Sequence, residues 1–253
     1  MILVTGGTGL VGRDVVRLLS QQGVAARALV RNPQKAQNLP GITWVTGDLA
    51  KPETLPTAFK GAKTLFLVSG IGEDTVALQH NAIEAARNAG ITRIVKLSAF
   101  GASGHSNAPI CRWHYQVEKE MQESGMDWTI LRPHHFMQNL LTQTQYIIND
   151  GVVYSASGDG KIPYIDARDI AAVAAVTLAK SGHHGKKYVI TGARRYPTGR
   201  QRRSSATRSA SRCALSTNHP TMRARVERGR DIHRPSSKAP SPSAPTNAQG
   251  EKR

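Results

Sequence analysis

Short apolar runs alternate with longer amphipathic segments along residues 1–192. Uninterrupted apolar runs favour buried strands, whereas apolar residues three or four positions apart favour helices. The predicted strands are Ile2–Thr5, Val24–Val30, Ile42–Thr46, Lys63–Val68, Thr92–Leu97, Asp127–Leu131 and Lys187–Thr191. The predicted helices are Leu10–Gln22, Glu53–Phe59, Glu73–Ala89 and Ile110–Glu123. This alternation predicts an α/β fold with a parallel sheet that is covered by helices on both faces.

The composition changes near residue 192. Residues 1–192 hold 19 Lys/Arg and 14 Asp/Glu, a net charge of +5, whereas residues 193–253 hold 15 and 3, a net charge of +12. The second segment has Tyr196 as its one aromatic residue and few large hydrophobic residues. Such a segment cannot bury enough apolar surface to offset its chain entropy. We therefore expect residues 1–192 to form the globular domain and residues 193–253 to be a disordered basic tail.

Three interpretations of this basic tail are open. It is a native tail that binds nucleic acid through phosphates, an artefact of expression, or the product of a shifted reading frame. The frame shift is favoured because enrichment in Arg, Ala, Ser and Pro is typical of a GC-rich sequence translated out of frame. Permitted codons shifted by one base restore a helix-like pattern over residues 193–206 and a strand-like pattern over residues 212–224. In that case the cofactor site is retained, the substrate lobe is incomplete, and activity toward the substrate is impaired or lost. No nucleic-acid partner is then expected.

Composition also excludes several classes of protein. No apolar run approaches the ~18 residues of a transmembrane helix, and no basic segment precedes Ile2 as it would in a secretory signal. The chain has two cysteines, Cys111 and Cys213, which form neither a disulfide framework nor a paired-cysteine metal site. We therefore expect a cytoplasmic protein with no membrane partner and no bound metal.

A glycine-rich turn joins the first predicted strand to the first predicted helix. Gly6, Gly9 and Gly12 allow the tight turn and leave room for a pyrophosphate beside the backbone N–H groups of the helix. The whole candidate loop comprises Gly6, Thr8, Gly9, Leu10, Val11 and Gly12. A purely structural turn is the alternative, but the strand before it and the helix after it favour a dinucleotide site.

The second predicted strand ends without a carboxylate. An NAD-binding protein normally has Asp or Glu there to accept hydrogen bonds from the ribose hydroxyls. This chain has Arg31, and a guanidinium can bind a 2′-phosphate with two hydrogen bonds. The sequence therefore predicts NADP as the cofactor in preference to NAD. A solvated arginine at the end of a strand is the alternative.

The spacing of the three glycines and the leading TGGTG motif resemble the short-chain dehydrogenase/reductase superfamily. Two further stretches, residues 114–140 and residues 158–178, resemble one atypical subgroup, the NmrA-like or NAD(P)H-quinone-reductase-like proteins. The resemblance covers residues 1–192 and implies a Rossmann-like doubly wound fold with a small C-terminal substrate lobe. It also implies that Asp48 and Leu49 face the adenine and that Ser69 lies beside the cofactor. A helix cap is the alternative role of Asp48.

The candidate catalytic residues lie on the helix predicted at Ile110–Glu123. Tyr115 and Lys119 have the Tyr-x-x-x-Lys spacing of many members of the superfamily, in which the lysine lowers the tyrosine pKa for proton transfer. His114 and Glu118 have the His-x-x-x-Glu spacing of the subgroup. Adjacent helix residues point ~100° apart, so both pairs cannot face the cofactor equally. Only 17 residues separate Ser98 from Tyr115, which favours a site without the Tyr/Lys pair.

The resemblance implies a substrate pocket after the sixth predicted strand. Its candidate lining residues are His134, Phe136 and Asn139, although a surface position for the histidine is an alternative. Asp169, which precedes an apolar helix, is interpreted as a helix cap. The resemblance implies an NADPH-dependent oxidoreductase that acts on a quinone or similar small electrophile. A dinucleotide-sensing regulator that binds a protein partner is the alternative, and a sugar-nucleotide epimerase is a weaker one.

Overall fold

The structure is a computed structural model that describes residues 1–151, 153–154, 160–197 and 225–228. Its main sheet has eight strands, which are β1 Ile2–Val4, β2 Ala26–Val30, β3 Ile42–Thr46, β4 Thr64–Leu67, β5 Arg93–Leu97, β6 Asp127–Pro133, β8 Lys186–Thr191 and β10 Arg225–Arg228. Their order across the sheet is β10-β8-β6-β5-β4-β1-β2-β3. All pair in parallel except β10, which runs antiparallel to β8. A separate antiparallel pair joins β7 Lys161–Ile162 to β9 Tyr196–Pro197.

Helices cover both faces of the main sheet. The α-helices are α1 Gly12–Gln21, α2 Leu55–Phe59, α3 Thr75–Asn88, α4 Pro109–Glu123, α5 Thr144–Asp150 and α6 Ala167–Ala179. Single 3₁₀ turns occupy Pro33–Lys35 and Pro52–Thr54, and a longer 3₁₀ segment occupies Met137–Gln143. In the part of the chain that the structure describes, no helix is both long enough and apolar enough to cross a membrane.

The alternation of side chains along the strands builds two separate cores. Val4 and Val95 pack with α1 and α6 on one face, whereas their neighbours Leu3 and Ile94 pack with α2, α3 and α4 on the other. Successive residues of a strand point to opposite faces, so strands buried on both sides must be apolar throughout. The predicted doubly wound α/β fold is confirmed, and the predicted helices and strands are all present with ends shifted by a few residues.

The sheet grows in opposite directions on the two sides of β1, because β2 and β3 follow it on one side and β4 and β5 on the other. At this edge the Thr5 hydroxyl donates to the carbonyl of Val68 at 2.8 Å and accepts from the N–H of Val68 at 2.9 Å. The turn after β1 is thereby fixed against the turn after β4. In open parallel sheets, ligands bind in the crevice at this kind of switch point.

Two details differ from the sequence expectations. The carboxylate that caps α6 belongs to Asp166, which accepts from the N–H of Arg168 at 2.8 Å, and Asp169 lies in the first turn instead. Within the predicted tail, Arg225–Arg228 forms a strand on β8, where disorder was expected. The remaining expectations for residues 198–224 and 229–253 lie outside the described residues.

Candidate functional site

The turn between β1 and α1 is packed too closely to accept side chains at two of its glycines. Gly6 has φ +59°, and a Cβ added to it would lie 2.9 Å from the carbonyl oxygen of Val68. A Cβ added to Gly12 would lie 2.1 Å from the carbonyl oxygen of Gly6. Both distances are below normal contact, so glycine is required at both positions. The candidate turn is therefore a closely packed backbone cradle.

At the start of α1, the backbone N–H groups of Leu10, Val11 and Gly12 have no hydrogen-bond partner among the described residues. Val11 occupies the N-cap position and makes no side-chain hydrogen bond. The preceding residues Thr8, Gly9 and Leu10 are exposed, whereas Val11 and Gly12 are buried. Uncapped N–H groups at a helix N-terminus attract phosphate groups. The cradle and the uncapped helix together fit the pyrophosphate of a dinucleotide.

Arg31 directly follows β2 at the same edge of the sheet. Its side chain is exposed and makes no ion pair or hydrogen bond with any residue in the described ranges. The adjacent Asn32 side chain accepts from the N–H of Gln34 at 3.0 Å, which fixes the turn after the strand. The guanidinium is therefore available to an anionic ligand at the end of β2.

Asp48 and Leu49 follow β3. The Asp48 carboxylate accepts from the N–H of Ala50 at 3.1 Å and closes a local turn, so it does not cap the helix that begins at Pro52. Leu49 is buried, and its carbonyl accepts from the Asn81 side chain at 2.8 Å. These contacts anchor the loop to α3. They leave the second carboxylate oxygen of Asp48 free of hydrogen bonds to the described residues.

The two candidate pairs on α4 lie on different faces of the helix. His114 and Glu118 are 3% and 1% exposed, whereas Tyr115 is 37% exposed and the Lys119 side chain is 59% exposed. Lys119 makes a 3.9 Å ion pair with Glu123. The inward register is therefore the His-x-x-x-Glu pair, and the Tyr-x-x-x-Lys pair lies on the outer face.

Glu118 is held by hydrogen bonds from Ser98, which directly follows β5, and from Arg132 on β6. Its Oε1 accepts from the Ser98 hydroxyl at 2.5 Å and from Arg132 Nε at 2.9 Å, and its Oε2 accepts from the Arg132 guanidinium at 2.5 Å. The serine hydroxyl therefore bonds Glu118 and not Tyr115. The structure does not bring Ser98, Tyr115 and Lys119 together as a proton-transfer group.

A buried lysine connects this network to the turn after β4, at the carboxyl edge of the sheet. Lys96 Nζ contacts Gln79 Oε1 at 2.6 Å and His114 Nδ1 at 3.0 Å, and the Gln79 amide donates to the Ser69 hydroxyl at 2.9 Å. Complete burial lowers the pKa of Lys96 from 10.5 to about 7, against the opposing effect of Glu118. Burial, Lys96 and Arg132 lower the pKa of His114 to about 3, so this imidazole is neutral.

Sequence reasoning missed Lys96 and Gln79. A lysine within the otherwise apolar run of β5 was the available signal, since a charged residue in a strand buried on both faces needs buried partners. The partners themselves lie on other elements, so spacing along the chain did not identify them.

Aromatic side chains gather where β5 and β6 end. The rings of Phe100 and His134 stack with centroids 4.6 Å apart, and the His134 and His135 rings are 5.1 Å apart. Phe136 is partly buried against the core, and Asn139 is exposed within the 3₁₀ segment. Of the three predicted pocket residues, His134 lies in this aromatic cluster, Phe136 packs on the core, and Asn139 faces solvent.

The described residues contain no group of His, Cys, Asp and Glu that could hold a metal ion. The adjacent pair His183 and His184 has separate partners. His183 Nδ1 contacts the Tyr188 hydroxyl at 2.8 Å, and His184 pairs with Asp127 at 3.2 Å. These histidines therefore connect β8 and its preceding turn to the sheet.

Known proteins are similar to this chain in sequence and in fold. A family model described as NAD(P)H-binding matches residues 6–181. The NAD(P)H azoreductase of Xenophilus azovorans is 44% identical over 194 residues, which cover 76% of this chain and 68% of the relative.

Two solved structures with bound cofactor are similar as well. The NADPH-dependent quinone oxidoreductase of Escherichia coli complexed with NADPH has a TM-score of 0.72 at 33% identity, over 78% of this chain and 71% of that one. The triphenylmethane reductase of Citrobacter sp. complexed with NADP(H) has a TM-score of 0.70 at 27% identity, over 78% and 71%. All three proteins are named as reductases or oxidoreductases.

Proposed function

Because the chain belongs to the NAD(P)H-binding family, we propose that it is an NADPH-dependent oxidoreductase that reduces a quinone or a similar small conjugated electrophile. The observation that carries this proposal is the backbone cradle between β1 and α1, where Gly12 approaches the carbonyl of Gly6 too closely for any side chain. The names of the similar azoreductase and quinone oxidoreductase support the substrate class.

The preference for NADPH over NADH rests on Arg31. Its exposed guanidinium follows β2, the position at which a carboxylate would otherwise bind the ribose hydroxyls. A guanidinium attracts a 2′-phosphate, whereas a carboxylate repels it. Asp48, with one free carboxylate oxygen, and the buried Leu49 would flank the adenine.

When bound, NADPH supplies a hydride to the electrophilic atom of the substrate. The protein's own residues bind and orient both molecules. The cradle of Gly6 and Gly12 would hold the pyrophosphate, and the Ser69 hydroxyl, fixed by Gln79, would border the other end of the cofactor. Tyr115 lies on the outer face of α4, so the proposed reaction does not use it as a proton donor.

The proposed reductase unit is residues 1–192, with the frame shift as the proposed origin of residues 193–253. Large apolar side chains of the 3₁₀ segment and α5 are exposed, as expected if a covering segment is lost: Leu141 72%, Tyr146 50%, Ile147 39% and Ile148 71%. The coding DNA near codon 192 tests this. A one-base shift should restore a continuation similar to the relatives, and absence of one would establish a native tail.

The test of function is consumption of NADPH and NADH over a panel of quinones and azo dyes, with dissociation constants for both cofactors. We expect NADPH turnover that is slower than that of a chain with the reading frame restored. We expect Arg31→Ala to weaken NADPH binding about 10-fold with little effect on NADH binding. Arg87→Ala is the matched control, since Arg87 is an exposed arginine paired with Glu84 on α3. Equal affinities for both cofactors would remove the NADPH preference. Tight binding with no consumption would support the alternative, a dinucleotide-sensing regulator.

A further inference from the structure

We propose that His134 donates a hydrogen bond through its Nε2–H to the substrate heteroatom that becomes negative as the hydride arrives. This inference rests on the proposed reductase function and adds the group that stabilises the reduced substrate. It applies to conjugated electrophiles whose heteroatom can accept this hydrogen bond, such as a quinone oxygen or an azo nitrogen.

The first support is the position of His134 at the carboxyl edge of the sheet. It directly follows β6, and its backbone N–H donates to the carbonyl of Ile190 on β8 at 2.9 Å. Its ring stacks on Phe100, whose own N–H donates to the carbonyl of Pro133 at 2.8 Å. The imidazole is thus fixed across the ends of β5 and β6, at the same carboxyl edge of the parallel sheet as the glycine turn that follows β1.

The second support is the tautomer that the backbone selects. His134 Nδ1 accepts from the N–H of His135 at 2.9 Å, so this nitrogen carries no proton. The 3.2 Å contact between the two Nδ1 atoms is satisfied when His135 is the donor, which again makes His134 the acceptor. The proton of a neutral imidazole then lies on Nε2. This Nε2–H has no hydrogen-bond partner among the described residues.

The surroundings keep the ring neutral. Burial, with smaller contributions from His135 and Arg195, lowers the pKa of His134 from 6.5 to about 4. A neutral ring at physiological pH donates through Nε2 alone, because its Nδ1 accepts from the backbone. The neighbouring Phe100 is 49% exposed, so a planar conjugated substrate can pack beside the donor.

The step balances without proton loss from the protein. The substrate gains one hydrogen with two electrons from NADPH, which becomes NADP⁺, and the heteroatom takes the resulting negative charge. His134 lowers the energy of this anion by its hydrogen bond, and no bond to the imidazole breaks. A proton from water then completes the reduction to the hydroquinone or hydrazine. Preorganised donors aimed at developing charge act mainly on the chemical step.

Two substitutions separate hydrogen bonding from packing. His134→Phe keeps a ring to stack on Phe100 and removes the donor, whereas His134→Gln replaces the imidazole Nε2–H by an amide N–H. With the full chain, NADPH and a benzoquinone, we expect His134→Phe to lower kcat about 100-fold and His134→Gln to recover at least about 10-fold of that loss. The NADPH dissociation constant and the melting temperature should stay near the wild-type values. His184→Phe, at a 62% exposed side chain, is the control and should leave kcat unchanged.

The outcomes distinguish the two proposals. With an active wild type, three results would overturn the role of His134: an unchanged kcat in His134→Phe, equal losses of kcat in both variants, or a change confined to KM. Each of these results would leave the reductase proposal standing. Absence of turnover over the whole panel, in this chain and in one with the reading frame restored, would overturn the reductase proposal and this inference with it.

Discussion

The ion pair between α4 and β6 makes a quantitative prediction for Glu118→Gln. The wild-type carboxylate is 1% exposed and accepts one hydrogen bond from Ser98 and two from Arg132. The glutamine has nearly the same shape, but it leaves the Arg132 guanidinium, 20% exposed, without its countercharge. It also removes the carboxylate whose charge raises the pKa of the buried Lys96.

Breaking a buried pair by removing one partner costs about 3–5 kcal/mol. Arg132 is partly exposed, and the amide oxygen of the new glutamine can still accept a hydrogen bond. The expected loss in the free energy of unfolding is therefore near the lower limit, about 3 kcal/mol. For a domain of this size that loss lowers Tm by roughly 6–12 °C. Glu118→Gln should lower the free energy of unfolding by less when Arg132 is already replaced by methionine, because Arg132→Met leaves no uncompensated charge opposite the glutamine.

The assay is urea unfolding followed by circular dichroism for the two single variants and the double variant. We expect a coupling energy of about 2 kcal/mol between Glu118 and Arg132. Lys119→Gln on the same helix is the control, since its exposed 3.9 Å pair should contribute less than about 0.5 kcal/mol. A coupling below about 0.5 kcal/mol would refute the conclusion that this pair holds α4 against β6.

Three further predictions address the site. Gly12→Ala should raise the dissociation constant for NADPH at least about 10-fold in a fluorescence titration, because its Cβ would lie 2.1 Å from the carbonyl oxygen of Gly6; wild-type affinity would contradict the cradle. Tyr115→Phe should leave kcat within about 2-fold of wild type, and a loss of about 100-fold would make the tyrosine a proton donor. The pKa of Lys96 is lowered to about 7 in the folded state, so between pH 7 and 10 the unfolded state binds more protons than the folded state. Lys96 therefore destabilises the fold most below pH 7, and its destabilising effect decreases as the pH rises above 7. Unfolding free energies of wild type should therefore rise relative to Lys96→Met by about 1 kcal/mol per pH unit over that interval, and parallel pH profiles would contradict the shift.

The sequence was sufficient for the features that depend on neighbours along the chain. The apolar runs gave the strands, and the glycine spacing placed the turn between β1 and α1, because both signals are local. The choice between the two pairs on α4 was not local. The inward position of Glu118 depends on its ion pair with Arg132, which lies on β6, the strand that follows α4 in the chain. The tautomer of His134 likewise depends on a backbone contact that composition and spacing do not encode.

The two faces of α4 also differ in how freely they can change over evolutionary time. Glu118 is tied to partners on two strands, so a substitution there requires compensation elsewhere in the core. Tyr115 and Lys119 are exposed, and Lys119 makes only one long ion pair, so both positions can mutate at little cost in stability. A Tyr-x-x-x-Lys spacing can therefore appear and disappear by neutral drift in chains of this kind. Assigning an enzyme mechanism from that spacing alone would then rest on two exposed side chains, whereas the residues that hold this helix against the sheet lie on its buried face.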